Sequence, residues 1–280
     1  MSEPGWALAD LDRAAAAGDG EAAHRLALLS GVGLNTPHDP PLALKRLKQA
    51  ADLDHDLAIR SLAVLEAEPG GLEAWFRPPA PRTVSERPHV LMADRLVSPA
   101  VCTWIRARAE PRLAPAEVYD PVTGVGRADP VRSNTATVFD LAGSDLVLSL
   151  LRERLARLAG LPVSGLEPCQ VLRYQPGQAF DWHVDFLDAA VPGHRDDLAR
   201  RGQRIATCLV WLNDDYDGGE TAFAAHDQRF RGRTGDAILW ANVTPDGAAD
   251  PLSRHAGLPP TRGEKWVLSQ WMRPFAPRRM

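Results

Sequence analysis

The sequence predicts an α+β chain in which a small all-α segment precedes a helix-backed jelly roll, or double-stranded β-helix. Three observations predict this fold. The first 68 residues are rich in Ala and Leu at helical spacing, two further helical patterns follow residue 89, and short strand-like runs occupy the rest. Helices followed by many strands are typical of a double-sheet barrel with helices packed against it.

The all-α segment, residues 1–68, contains a repeat. Leu11 recurs as Leu47 and Leu29 as Leu65, in each case 36 positions further along the chain. A period of this length is typical of helix pairs stacked on one another. The segment resembles the Sel1-like repeats, which are relatives of the tetratricopeptide repeats, and such surfaces commonly bind peptides.

Residues 69–88 are rich in Pro and Gly and are predicted to be a linker, because such a stretch sustains neither a helix nor a central strand. Residues 89–280 form the predicted barrel domain. Its helices are expected from the N-cap Ser98 to Ala109 and from Ser144 to Ala159. Strands are expected near 168–175, 179–185, 204–213, 236–241 and 265–272. The polar stretches 111–130 and 186–202 are interpreted either as mobile loops or as lids.

Composition narrows the classes of partner and compartment. The net charge of -4, from 32 basic and 36 acidic residues, gives no electrostatic reason to expect nucleic acid or an anionic membrane. No apolar run approaches the roughly 20 residues of a membrane span. The N-terminus lacks a basic region before an apolar stretch, and the three cysteines are widely spaced. We therefore expect a cytoplasmic protein in a reducing compartment.

A metal site is predicted around residue 183. His183 and Asp185 are two apart in a strand-like run, so both side chains point to the same face. His255, near the start of the last strand pair, is the best candidate for a third ligand. Two histidines and a carboxylate on one face of an octahedral ion leave positions open, as in non-heme Fe(II) oxygenases, whereas zinc prefers a nearly closed tetrahedron.

Lys265, ten residues after His255, suggests the co-substrate. It precedes the apolar residues Trp266 and Val267, and a lysine buried there needs an anionic partner. Its ammonium is placed to bind the far carboxylate of a dicarboxylic acid chelated to the metal. The alternative is a lysine at a strand end that points into solvent.

A series of short motifs then resembles the catalytic domain of the prolyl 4-hydroxylase branch of the 2-oxoglutarate dioxygenases. Val131-Arg132-Ser133-Asn134 resembles an upstream signature of that branch. The other pieces, in chain order, are Tyr174-x-Pro176-Gly177-Gln178, His183-x-Asp185, Gly202-Gln203-Arg204 leading to Thr207, Leu212-Asn213-Asp214, Gly218-Gly219-Glu220-Thr221-x-Phe223, Gly235-Asp236-Ala237, Pro245-Asp246-Gly247, His255-Ala256-Gly257, Gly263-Glu264-Lys265-Trp266 and Trp271.

The resemblance implies a role for each matching position. It implies Fe(II) at His183, Asp185 and His255, with 2-oxoglutarate as co-substrate and ascorbate as a reductant in many members. It also implies a co-substrate cradle of Tyr174, Thr221 and Lys265 with Trp271 close by, and it places Arg204, the predicted catalytic residue, on the substrate side of the iron. The expected reaction is hydroxylation of an amino-acid residue, with peptidyl proline first, and release of succinate and CO2.

Two departures from the family pattern bear on the substrate. Phe180 stands where the family often has Tyr, and Arg273 where the peptide-acting enzymes often have His. Both positions face the substrate in that branch. A free amino acid or small metabolite is therefore an alternative substrate, and a catalytically silent scaffold for protein partners is an alternative of another class. A peptide or protein substrate would use the helical repeats.

Overall fold

The computed structural model describes residues 7–119, 126–127, 131–140 and 143–274. The chain divides into two compact units, the first formed by Met1–Arg77 with Leu141–Arg154 and the second by Pro78–Asp140 with Leu155–Met280. The division at Arg77 lies inside the predicted linker 69–88, and the predicted domain boundaries stay predictions. None of the described helices has the length and apolar character that crossing a membrane requires.

The described residues form eight α-helices, and half of them begin with a side-chain N-cap hydrogen bond. Asp19 and Asp39 accept hydrogen bonds from the backbone N–H groups of Ala22 and Leu42. The helices are α1 (Leu8–Ala16), α2 (Gly20–Val32), α3 (Pro40–Asp52), α4 (Asp56–Glu66), α5 (Gly71–Ala74), α6 (Pro99–Ala109), α7 (Leu146–Ala159) and α8 (Pro192–Arg201).

Unit 1 contains the predicted helix pairs. Helices α1 to α4 pack on one another in chain order, and the repeated residues Leu11, Leu47, Leu29 and Leu65 are all buried. The assignment to the Sel1-like family stays a prediction.

One glycine of unit 1 lies inside a helix, close to a neighbouring side chain. Gly31 is part of α2, and an added Cβ would come within 2.7 Å of Leu146 Cδ1. A larger residue there would force the Leu146 side chain to move, while Gly33, with a φ of 71°, ends the helix.

Both helices predicted for the barrel domain are present. Helix α6 follows Ser98 as expected. Helix α7 begins at Leu146, two residues later than expected, because Asp145, and not Ser144, accepts the hydrogen bond from Leu148 N. The boundary between the two compact units falls within α7, after Arg154.

Unit 2 contains the β-structure. The strands are β1 (Arg82–Glu86), β2 (His89–Ala93), β3 (Ala114–Pro115), β4 (Val118–Tyr119), β5 (Gly126–Arg127), β6 (Thr135–Phe139), β7 (Cys169–Tyr174), β8 (Phe180–His183), β9 (Ala206–Trp211), β10 (Asp217–Gly218), β11 (Thr221–Phe223), β12 (Gln228–Phe230), β13 (Ala237–Ala241), β14 (His255–Gly257), β15 (Pro260–Arg262) and β16 (Lys265–Met272). Each of the predicted strand runs contains one of these strands.

Two sheets form the jelly roll that the sequence predicts. The larger has eight strands in the order β1-β2-β13-β9-β16-β7-β6-β3, and the smaller has four in the order β12-β11-β14-β8. All pairings within them are antiparallel. Trp240 of the larger sheet packs edge-on against Phe223 of the smaller, with ring centroids 5.4 Å apart. The inner faces of the two sheets therefore share one core.

The stretch 186–202, predicted as a loop or a lid, contains helix α8. Pro192 occupies the first turn, and Gly202, with a φ of 73°, follows the last helical residue. The helix was missed because its sequence is polar throughout and shows no apolar period. Of the other stretch, 111–130, the hairpin of β4 and β5 is described, whereas 120–125 and 128–130 lie outside the described residues.

The cysteines Cys102, Cys169 and Cys208 are all free and buried. They form no disulfide, as the sequence predicts. The reducing compartment itself stays a prediction.

Candidate active site

The three predicted metal ligands come together on neighbouring strands of the smaller sheet. His183 ends β8, Asp185 follows two residues later, and His255 begins β14 directly opposite His183. Asp185 Oδ1 lies 3.8 Å from His183 Nε2, and Asp185 Oδ2 lies 3.6 Å from His255 Nε2. The ligand atoms of all three residues lie within 4.8 Å of one another. One divalent cation can contact all of them.

Backbone hydrogen bonds orient both imidazoles. Nδ1 of His183 lies 2.7 Å from the Asp181 carbonyl oxygen, and Nδ1 of His255 lies 3.0 Å from that of Ser253. A carbonyl oxygen only accepts, so each Nδ1 carries the proton and each Nε2 presents a lone pair to the shared space. This tautomer is the one that metal-binding histidines use.

Burial and mutual contact set the charges of the cluster. Burial and the neighbouring His255 lower the pKa of His183, which keeps its imidazole neutral near pH 7. Burial alone would raise the pKa of Asp185. The neighbouring histidines and a hydrogen bond from Thr207 overcome it and lower that pKa, so the carboxylate is ionised. Two imidazoles that present Nε2 and one ionised carboxylate are a donor set suited to Fe(II).

The predicted co-substrate residues surround a second part of the same cavity. Lys265 lies opposite Tyr174 in the β16–β7 pair, and its Nζ is 5.1 Å from the Tyr174 ring centroid. Burial lowers the pKa of Lys265 to about 8, although Glu220 attracts the ammonium. Burial also raises the pKa of Tyr174 to about 12, so its phenol keeps the proton.

The remaining cradle residue, Thr221, has a buried hydroxyl with no hydrogen-bond partner in the described part of the chain. Together with the Lys265 ammonium and the Tyr174 phenol it forms a set of donors that an anion would satisfy. A Cβ at Gly257 would lie 3.3 Å from the Tyr174 hydroxyl, so a larger residue there would crowd the phenol. These residues therefore fit a dicarboxylate.

One cavity joins the two groups. It is lined by all three predicted metal ligands and by Tyr174, Thr221, Lys265 and Trp271. The sequence also left other lining residues without a role: Arg132, whose Nη2 donates to Gln170 Oε1 at 3.2 Å, and Ser269. Arg132 belongs to a matched motif, whereas Gln170 and Ser269 carried no signal beyond a polar residue in a strand.

Phe180 lines the cavity, as its family position implies. Its ring stacks on His183, with centroids 3.6 Å apart and planes 12° from parallel. The Arg132 guanidinium lies 4.8 Å from the Phe180 ring centroid. Phe180 therefore buttresses a metal-ligand candidate in addition to shaping the mouth of the site.

Arg204, the predicted catalytic residue, is not among the cavity-lining residues that the described chain provides. Its guanidinium lies 3.6 Å from the Trp271 ring centroid and donates to both oxygens of Glu167, at 2.8 and 3.0 Å. The Arg204 guanidinium therefore binds Glu167, and it contacts the cavity wall at the Trp271 ring.

Arg273 differs from the expectation that its position faces the substrate. The side chain is buried, and it donates to Glu167 at 2.6 Å and to Asp197 of α8 at 2.7 Å. The arginine side chain is long enough to reach these two acids, whereas a histidine at the same position would be too short. Arg273 therefore does not line the cavity.

Other matched motif residues have structural roles. Asn213 accepts from Trp266 N at 2.8 Å and donates to the Glu264 carbonyl at 2.7 Å, which fixes the start of β16 beside Lys265. Asp236 accepts from Arg95 N and Arg233 N, at 2.8 and 2.9 Å.

Comparisons with known proteins agree with this geometry. The sequence model of the 2OG-Fe(II) oxygenase superfamily matches residues 169–273. Prolyl 4-hydroxylase 1 of Arabidopsis thaliana is 32% identical over 207 residues, which cover 69% of this chain and 71% of that protein. Prolyl 4-hydroxylase 5 of the same plant is 31% identical over 224 residues, which cover 73% of each chain.

Among solved structures, the viral collagen prolyl hydroxylase of Paramecium bursaria Chlorella virus-1, in complex with 2OG, is similar. It matches with a TM-score of 0.50 and 25% identity, covering 66% of this chain and 95% of that one.

The fold and the site define a non-heme iron oxygenase. The chain belongs to the 2OG-Fe(II) oxygenase superfamily and, within it, to the prolyl 4-hydroxylase family. It is a dioxygenase that uses Fe(II) and 2-oxoglutarate, which decides against the catalytically silent scaffold. When bound, the two cofactors supply oxidation of a C–H bond by dioxygen, coupled to decarboxylation of 2-oxoglutarate.

Proposed function

We propose that this chain hydroxylates a proline residue of a peptide or protein and releases succinate and CO2. The observation that carries the proposal is the single cavity that joins the His183–Asp185–His255 cluster to a buried lysine. The relatives reported above, named as prolyl 4-hydroxylases, support the choice of proline.

In this proposal His183, Asp185 and His255 hold Fe(II). Their Nε2 and carboxylate atoms already converge, so little side-chain movement is needed to bind the ion. The neutral imidazole of His183 does not repel the cation, and the ionised carboxylate of Asp185 attracts it.

Lys265, Tyr174 and Thr221 orient 2-oxoglutarate. The ammonium neutralises the far carboxylate in a water-poor site, where a charge-assisted hydrogen bond is strong. The two hydroxyls donate to the same carboxylate, because the Tyr174 phenol keeps its proton. This satisfies the Thr221 hydroxyl, which is otherwise buried without a partner in the described part of the chain. Trp271 closes the wall beside them, with Arg204 as a positioning residue that fixes its ring.

A second candidate substrate is a free amino acid or a small metabolite. One observation favours it, namely that Arg273 is buried at the position where the peptide-acting branch presents a substrate-facing histidine. Arg132 and Phe180 remain in the cavity wall to contact either substrate.

Three finer expectations complete the proposal. We propose that the helical unit contributes to binding of a macromolecular substrate, that ascorbate sustains turnover, and that the protein acts in the cytoplasm. Longer peptides should then have a lower KM than short ones with the same target proline. Equal KM values would count against the helical unit.

The test is mass spectrometry of products after incubation with Fe(II), 2-oxoglutarate and air. The expected result is the gain of one oxygen atom on proline in a peptide, with one succinate formed for each. Succinate formation driven by a free amino acid, and by no proline peptide, would establish the second candidate instead. A His183→Ala chain serves as the blank.

A further inference from the structure

A buried chain of side-chain hydrogen bonds ends on Asp185. Thr207 Oγ1 donates to Asp185 Oδ2 at 2.7 Å, and Asn242 Nδ2 donates to Thr207 Oγ1 at 2.8 Å. All three residues are buried, with Asn242 fully shielded from solvent. Thr207 lies in β9, and Asn242 directly follows β13, its neighbour in the larger sheet.

The chemistry of the groups fixes the direction of these bonds. An ionised carboxylate only accepts, so the single Thr207 hydroxyl proton must point to Asp185. The Thr207 oxygen is then an acceptor, and Asn242 satisfies it through its NH2 group. Asn242 is itself anchored by its backbone, whose N–H donates to Ile205 and whose carbonyl accepts from Asp250, at 2.9 and 3.0 Å.

The chain of hydrogen bonds ends on one oxygen of the Asp185 carboxylate. Oδ2 accepts the Thr207 hydrogen bond, while Oδ1 accepts none in the part of the chain that the structure describes. A carboxylate free to rotate could present both oxygens to a cation. It would then take up a coordination position that this class of iron site leaves open.

We propose that Asn242 and Thr207 form a positioning relay that holds Asp185 as a one-oxygen ligand. This inference rests on the proposed function, because it takes Asp185 to be an iron ligand. Thr207 lines the cavity but acts through Asp185: Asn242 orients Thr207, and Thr207 orients the carboxylate. Side chains that hold a metal ligand in this way commonly change metal affinity by about 10- to 100-fold.

The test measures Co(II) affinity by visible absorption, with no turnover required. Thr207→Val keeps the shape of the side chain but removes the hydroxyl, so it should weaken Co(II) binding by roughly 10- to 100-fold. Thr207→Ser keeps the hydroxyl and should bind nearly as tightly as the unaltered chain. Thr137→Val, a buried threonine of β6 outside the cavity lining, is the matched control and should bind normally.

A double-mutant cycle tests the order of the relay. Asn242→Ala should lower Co(II) affinity in the unaltered chain but cause no further loss in the Thr207→Val background. If circular dichroism shows that Thr207→Val does not fold, the Co(II) affinity of Asn242→Ala alone still tests the relay. Under anaerobic conditions, Fe(II) with 2-oxoglutarate should give a charge-transfer band in the Thr207→Ser variant that is weakened or shifted in Thr207→Val.

The outcomes separate two kinds of failure. If the unaltered chain forms the band and Thr207→Val matches it in affinity and spectrum, the relay is wrong and the iron site stands. Additive losses from Thr207→Val and Asn242→Ala would also overturn the relay. If the unaltered chain binds neither Co(II) nor Fe(II), both the relay and the proposed iron site are wrong.

Discussion

Arg273 donates a hydrogen bond from Nε to Glu167 Oε1 over 2.6 Å, in a contact where the two side chains are only 2% and 7% exposed. Arg204 binds the same carboxylate, and Arg273 also reaches Asp197. Burial raises the pKa of Glu167, but the two guanidinium groups overcome it and lower that pKa. The pair is therefore a structural contact within the barrel unit.

Arg273→Met should destabilise the protein strongly. It removes one of the two cationic partners of Glu167, which keeps Arg204, and the shorter of the two contacts of Asp197. Breaking a buried ion pair outright costs about 3–5 kcal/mol, so the loss should lie near the lower end of that range. Urea unfolding measures the change. Arg262→Met, which removes an exposed pair with Asp217, is the matched control and should change little. An unfolding midpoint of Arg273→Met equal to that of the control would contradict the structural role.

His183→Ala should abolish Fe(II) binding and succinate formation together, because it removes one of the three converging ligand atoms. Equilibrium dialysis and succinate release measure the two effects. His89→Ala, an exposed histidine of β2, should retain both. Normal succinate formation by His183→Ala would show that the metal binds elsewhere.

Lys265→Ala should leave Fe(II) bound and raise the 2-oxoglutarate requirement by roughly 10- to 100-fold. A hydrogen bond to a charged group is worth about 1.5–3 kcal/mol, and the truncated side chain would make none. The concentration of 2-oxoglutarate at half-maximal succinate formation gives the change. Lys48→Ala, an exposed lysine of the helical unit, should behave as the unaltered chain. An unchanged requirement would place the carboxylate anchor on another residue.

The affinity for 2-oxoglutarate should fall as pH rises through about 8, the lowered pKa of Lys265. Below that pH the ammonium is present and attracts the carboxylate. Above it the amine is neutral, binding must take up a proton, and the Kd should rise by about tenfold per pH unit. Titrations with a redox-stable divalent metal in the site measure this slope. Lys265→Arg stays charged at these pH values, so a slope that persisted in it would point to a different group.

Gly235→Ala should prevent folding of the barrel unit. The residue has a φ of 89°, and a Cβ would come within 2.0 Å of the Val97 carbonyl oxygen. Gly247 has a similar φ of 85° with no atom within 4 Å of its added Cβ, so Gly247→Ala isolates the cost of the backbone conformation. That cost is about 1–3 kcal/mol. Comparable soluble yields and melting temperatures for the two variants would contradict the steric argument.

Local sequence patterns were sufficient for five of the strands and for part of the site. The expected strand run 179–185 places His183 and Asp185 on one face by its period of two, although β8 ends at His183 and Asp185 lies just after it. Their pairing with His255 depends on the β8–β14 register, which no local pattern contains. The prediction of His255 came instead from the chemistry of a three-ligand site, and the structure brings it to the same place.

The features that were missed depend on contacts between distant parts of the chain. Asn242 is a single polar residue after a buried strand, and only the pairing of β13 with β9 brings it to Thr207. Arg273 has the length to reach Glu167 and Asp197, a property that a comparison of residue types at one position does not reveal. Helix α8 is polar throughout, so its hydrophobic period is absent.

The path of the chain between Asp185 and Thr207 separates the metal site from the segment that joins these two residues. Leu187 N donates to Gln203 Oε1 at 2.7 Å, and Gln203 Nε2 donates to the Leu187 carbonyl at 2.8 Å. These reciprocal bonds close the excursion 188–202 at its base. A substitution or insertion within the excursion that keeps the contact of Asp197 with Arg273 should therefore leave the spacing of Asp185 and Thr207 unchanged.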